Sequence, residues 1–123
     1  MGIRVENLHK SFGTEKVLDG ITIDITDRSF FSVVAPTGAG KTTLLRILAG
    51  IESADAGTVY YDGTEMSDVA VQDRSVGMVY QEFINYPSLT VRENLASPLQ
   101  VSDENYTAEE IERRVQETAE MLK

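Results

Sequence analysis

The chain has 123 residues, enough for one modest domain with a core of its own, and its 41% hydrophobic and 25% charged residues give the balance of a soluble globular protein. No apolar run approaches the roughly 18 residues of a membrane span. The formal net charge of −9 disfavours nucleic acid or an anionic membrane surface as the main partner, and without Cys there are no disulfides and no thiolate metal site, which fits the cytosol.

Gly2 to Leu8 loosely alternates Ile3, Val5 and Leu8 with polar residues and predicts a strand, followed by a loop over His9 to Gly13. Val17 to Ile25 places Leu18, Ile21, Ile23 and Ile25 between Asp and Thr, a half-exposed strand closed by a turn at Asp27-Arg28. Ser29 to Val34 is apolar and β-rich and reads as a buried strand. Leu44 to Ala49 reads as a helix stopped by Gly50. Between strand and helix lies Ala35-Pro36-Thr37-Gly38-Ala39-Gly40-Lys41-Thr42-Thr43.

That order of strand, glycine-rich turn and helix suits a phosphate chain. Gly38 and Gly40 can take backbone angles closed to other residues and leave room for phosphate oxygens. The amides of Gly38 to Thr43 then converge as a nest at a helix N-terminus. Lys41 supplies a point charge for the β- and γ-phosphates, and the Thr42 hydroxyl is placed for Mg²⁺. The P-loop pattern has Gly where this chain has Ala35, a methyl that would strain a positive φ.

Glu52 to Ala56 is a polar loop, and Thr58 to Tyr61 a short strand ending in the tight-turn pair Asp62-Gly63. Met66 to Arg74 reads as loop with one helical turn, and Val76 to Tyr80 as a second buried strand running into Gln81. Glu82 to Leu89 is a loop carrying Phe83, Ile84 and Tyr86. Thr90 with Glu93, and Thr107 with Glu110, are capping boxes that start two helices. The first helix is expected to end near Pro98, and the second to turn Ile111, Val115, Ala119 and Leu122 to one face.

Four stretches resemble the ATP-binding subunit of ABC transporters: "IRVENLHKSFG" with "VLDGITIDI", "APTGAGKTTLLRILAGI", "GTVYYDG" and "VGMVYQEFINYPSLTVRENL". The last is long and specific, and it is most similar to the importer branch serving sugars, glycerol and sugar phosphates. The resemblance implies an α/β fold of the P-loop NTPase class, a mixed sheet with an antiparallel β subdomain. Residues 1–81 would form the N-terminal part of the ATP-binding core, and residues 82–123 the glutamine-loop connection and the start of a helical subdomain.

The resemblance also implies the site. ATP and Mg²⁺ are its cofactors. Phe12 falls where the family stacks an aromatic, most often Tyr, on adenine, and Val17 would pack on the ribose side. Thr37, Gly38, Ala39, Gly40, Lys41, Thr42 and Thr43 would hold the phosphates. Gln81 would join Thr42 on Mg²⁺ and contact the attacking water, so that Lys41 and Gln81 are the catalytic candidates. Phe83, Ile84, Tyr86 and Leu89 would face membrane-spanning permease subunits, and a second ATP-binding subunit would complete the assembly. That places the protein in the cytoplasm, on the inner face of the cell membrane through its partners, without insertion of its own.

The 123 residues contain no Leu-Ser-Gly-Gly-Gln signature, no apolar strand ending in Asp-Glu (the Walker B segment), and no histidine after His9. The expectation is therefore an N-terminal portion that binds nucleotide with little turnover alone, within a subunit that hydrolyses ATP. Another P-loop enzyme would carry different marks. A GTPase would carry Asn-Lys-x-Asp, and a small kinase a basic lid; the first is missing and the region after Gln81 is acidic. A nonhydrolysing nucleotide-binding module remains as the alternative for the isolated chain.

Overall fold

The computed structural model describes residues 1–123, which divide into two compact units, Met1–Val79 and Tyr80–Lys123. The first contains β1 (Ile3–Phe12), β2 (Glu15–Ile25), α1 (Lys41–Ala49), β3 (Ala56–Tyr61) and β4 (Thr64–Glu65), with one 3₁₀ turn at Val71–Asp73. The second contains α2 (Val91–Gln100) and α3 (Ala108–Met121).

The four strands form one antiparallel sheet in the order β2-β1-β3-β4. Val5 and Leu8 are both fully buried, although a spacing of three should put them on opposite faces. The register slips between them, and Asn7 sits at φ 49°, so one extra residue is taken up and both side chains reach the core. This bulge explains the loose alternation of the first strand. It also lets β1 run on to Phe12, through residues the sequence assigns to a loop.

Gly57 crosses this bulge. A Cβ there would lie 2.6 Å from Leu8 Cα and 2.7 Å from the Asn7 carbonyl carbon, and Gly57 itself sits at φ +94°. Helix α1 lays Leu44, Ile47 and Leu48 on the sheet, where they join Val5, Leu8, Leu18, Val59, Tyr61 and Met66 in a single cluster. Arg74 ties the following segment to that core: Nε donates to Val69 O at 3.0 Å and Nη2 to Met66 O at 2.6 Å. Its guanidinium lies 5.7 Å from the Tyr61 ring, while the Tyr61 hydroxyl donates to Leu48 O. The guanidinium occupies the space a side chain at Gly50 would need.

Two expected strands are not formed. Ser29 to Val34 and Val76 to Tyr80 are irregular, with Phe30 at 96% and Val79 at 97% relative exposure. A strand's backbone groups are satisfied only by a neighbouring strand, and none of β1 to β4 pairs with either segment. Their apolar runs have the pattern of a strand buried on both faces, but the paired sheet here is wholly antiparallel and turns its core face to α1.

In the second unit both capping boxes are present. Thr90 Oγ1 accepts from the Glu93 amide at 3.2 Å, and the Glu93 carboxylate from the Thr90 amide at 2.7 Å; Thr107 and Glu110 repeat the pair at 3.2 and 2.9 Å. Helix α2 continues past Pro98 to Gln100, because a proline this near the end removes one donor and the last turn still closes from Val101 N to Ser97 O at 3.3 Å. On α3, Val115 is buried and Ile111 partly so, whereas Ala119 and Leu122 are exposed. No helix is long and apolar enough to cross a membrane.

Hydrogen bonds from Thr90, its backbone amide first, hold the Glu93 carboxyl below the usual glutamate range. A carboxyl depressed in the folded state contributes stability above its ordinary pKa and loses it as pH falls through the lower folded value. Thr90→Ala is expected to cost about 1 kcal/mol. Urea midpoints measured down to acidic pH should show Glu93→Gln converging with the parent once that carboxyl is protonated.

Candidate functional site

The segment from Ala35 to Thr43 leads directly into α1. Pro36 O accepts from the Ala39 amide at 3.1 Å, closing a turn, and Gly40 O accepts from the Leu44 amide at 2.9 Å, opening the helix. Gly38 and Gly40 have φ of 81° and 96°, with Ala39 between them at negative φ. Such alternation points successive amides to one side. Ala35 is not at positive φ, so the strain its methyl would meet there does not arise.

Gly40 admits nothing larger. A Cβ would stand 2.7 Å from Val17 Cγ1 and 2.9 Å from Val17 O. Val17 thus lies directly against the turn, which brings the expected ribose-side residue of β2 to the start of α1. Around Gly38, by contrast, a Cβ would meet nothing within 4 Å, so that side of the turn is open. The cradle is closed toward the sheet and accessible on its outer side.

The three helices begin differently. α2 and α3 satisfy first-turn amides with Thr side chains and place Glu in the first turn. α1 has no side-chain cap and no acidic residue in its first turn. No side chain of its own first turn therefore offsets the positive end of its dipole. Lys41 folds back over the turn, where its ammonium donates to Ala35 O and, at 2.9 Å, to Pro36 O. Thr37 and Thr42 are exposed, and Thr43 is partly buried. Donors, one cation and an exposed hydroxyl at one helix start fit a phosphate chain with its divalent cation.

Phe12 ends β1 at the tip of the β1–β2 hairpin, half exposed. Lys10, two residues earlier, lies with its ammonium 5.3 Å from the Phe12 ring centroid. That ammonium pairs with Glu52 at 3.1 Å and Asp55 at 3.6 Å. Its hydrogen bond and charge hold the Glu52 carboxyl below the usual range. The sequence offers no signal for Lys10, Glu52 and Asp55 beyond a lysine two residues before an aromatic.

Gln81 belongs to the second unit, where it is exposed in a bend. Phe83, Ile84, Tyr86 and Leu89 are exposed, Phe83 completely so at 106%. Asn94 on α2 organises this loop, a role the sequence did not reveal. Its Oδ1 accepts from the Tyr86 amide at 2.8 Å, and its Nδ2 lies 3.1 Å from Tyr86 O, 3.2 Å from Leu89 O and 2.9 Å from Thr90 O. The backbone of residues 86–90 is held, while the large side chains are left outside.

The ABC transporter family matches this chain over residues 18–123, and the chain belongs to that family. It is similar to the alpha-glucoside transport ATP-binding protein AglK of Rhizobium meliloti (strain 1021), 39% identical over 121 residues, covering 98% of this chain and 33% of AglK. It is also similar to the sulfate/thiosulfate import ATP-binding protein CysA of Bacillus cereus (strain ATCC 14579), 38% identical over 125 residues, covering 100% of this chain and 35% of CysA. The chain spans about a third of the length of these curated relatives. Among solved structures, a dimeric post-hydrolysis state of the ATP-binding cassette MJ0796 bound to ADP and Pi superposes with a TM-score of 0.83 at 27% identity, over 97% of this chain and 56% of that one. The expected fold class, an ABC-type nucleotide-binding fold, is that of this neighbour.

Proposed function

We propose that the chain binds Mg-ATP as part of the ATPase subunit of an ABC importer. The observation that carries this is the turn at residues 35–43: a glycine with no room for a Cβ opens an uncapped helix, and a lysine ammonium lies over the turn. In this reading the amides of Gly38 to Thr43 and the Lys41 ammonium hold the phosphates, and the Thr42 hydroxyl carries Mg²⁺. Phe12 stacks on the base and Val17 packs beside the ribose. Mg²⁺ held there would neutralise charge developing at a transferred phosphoryl group. Gln81 is proposed to sense the γ-phosphate and its water.

Titration calorimetry with ATP, with and without Mg²⁺, tests the reading. Saturable, Mg²⁺-dependent binding is expected, and its absence overturns it. A polypeptide of these 123 residues is expected to release phosphate negligibly, since it holds no Asp-Glu pair at a strand end to polarise water.

The proposed partners are membrane-spanning permease subunits and a second ATP-binding subunit, which would place the protein on the inner face of the membrane. A sugar, glycerol or sugar phosphate is the solute class suggested by residues 76–95; the two relatives named above differ in theirs, one being an alpha-glucoside and the other sulfate/thiosulfate protein. The exposed side chains on the loop held by Asn94 support a docking surface, because apolar groups of this size in the open are characteristic of interface cores. Tyr86→Asp combined with Phe83→Asp is expected to weaken assembly with the permease or uncouple ATPase activity from transport, at near-normal ATP affinity. Intact assembly and coupling in that folded variant would place docking elsewhere.

A further inference from the structure

We propose that Lys10 is a positioning residue for the base end of the nucleotide site: its ammonium, clamped by Glu52 and Asp55, holds one side of the Phe12 ring and leaves the other side to a purine. The inference rests on the assignment of Phe12 as the stacking residue. Lysine is almost never buried unless paired, and Lys10 is only 9% exposed. It occupies a core-side position of β1, two residues after fully buried Leu8, where an aliphatic residue would satisfy the fold. What distinguishes it from an aliphatic residue is its charge, and the charge touches three groups: two carboxylates and the π face of Phe12.

Both carboxylates belong to the loop that follows α1. Arg46 O near the end of α1 accepts from the Ile51 amide at 2.9 Å and the Glu52 amide at 3.2 Å, which fixes that loop to the helix. Asp55 is fixed in turn to β1: its amide donates to His9 O at 2.8 Å, and its Oδ2 accepts from the Ser11 amide at 2.7 Å. A continuous connection therefore runs from the phosphate turn, along the nine residues of α1 (roughly 13 Å of helix), through Glu52 to Lys10 and on to the Phe12 ring. The cradle for the phosphates and the platform for the base are held at a set separation by a helix and an ion pair. Phe12 is 49% exposed, so a ring held on one side still offers surface for stacking.

The test compares Mg-ATP with Mg-tripolyphosphate, which lacks the base, by titration calorimetry on the full-length protein. Lys10→Met is expected to weaken Mg-ATP about three- to fivefold and to leave tripolyphosphate within about twofold. Lys10→Arg, which keeps the charge and the π contact, should restore ATP affinity. In a Phe12→Ala background, Lys10→Met should add nothing. If Lys10→Met fails to fold, Glu52→Gln leaves the lysine in place but loosens its clamp, and is expected to weaken Mg-ATP about twofold without affecting tripolyphosphate. Equal weakening of both ligands, an undiminished effect without Phe12, or unchanged ATP affinity in Lys10→Met or Glu52→Gln overturns the proposal. A parent protein that binds tripolyphosphate and Mg-ATP equally well overturns the base-stacking assignment together with it, while leaving the phosphate cradle standing.

Discussion

Replacing Lys41 by Ala is expected to weaken Mg-ATP binding at least about tenfold, corresponding to about 1.4 kcal/mol, with little change in stability. The ammonium donates hydrogen bonds to Ala35 O and Pro36 O of its own turn. Those carbonyls belong to a largely exposed segment, so water replaces the lysine at small cost when it is removed. A triphosphate would lose more. In the proposed site its charge would be met locally by backbone amides and this one ammonium, in a chain whose net charge of −9 gives no general attraction. Calorimetry and a thermal melt on the same variant separate the two effects. An unchanged dissociation constant contradicts the assignment of Lys41, and a collapsed melting temperature would mean that its place is structural.

Gly57→Ala is expected to cost about 3 kcal/mol or more, a large share of a small domain's stability. Two costs combine. The left-handed φ of +94° penalises any Cβ by roughly 1–2 kcal/mol. The new methyl would also press on backbone atoms of Asn7 and Leu8, which cannot rotate aside as a side chain would. Gly63→Ala is the control: its φ is +80°, but nothing lies within 4 Å of the new atom, so only the first cost applies. Urea unfolding should show a much lower midpoint for Gly57→Ala than for Gly63→Ala. Equal midpoints would mean that β3 moves away from the bulge at little cost.

Local signals in the sequence were legible where the responsible groups are neighbours in the chain. Each capping box is a Thr and a Glu three residues apart, and both formed as expected. The Asp62-Gly63 turn, with φ of 48° and 80°, and the stop of α1 at Gly50 are of the same kind. The glycine-rich turn that opens α1 belongs with them, since its residues are neighbours in the chain. Features that depend on distant partners were not legible. The apolar runs at Ser29–Val34 and Val76–Tyr80 have strand composition, but composition carries no information about a pairing neighbour. The bulge at Asn7, which buries Val5 and Leu8 together, depends on the strands paired with β1. Lys10 looked like one more charge in a polar loop, because its carboxylates lie more than 40 residues away in the sequence.

In the proposed function the backbone amides from Gly38 to Thr43 receive a nucleotide's phosphates. Amide chemical shifts of the isotopically labelled protein, followed as Mg-ATP is added, test it most directly. The largest displacements are expected on Gly38, Ala39, Gly40, Lys41, Thr42 and Thr43, saturating with a single dissociation constant and recurring with Mg-tripolyphosphate. Saturation with those six amides unmoved, and the displacements elsewhere in the chain, would contradict it.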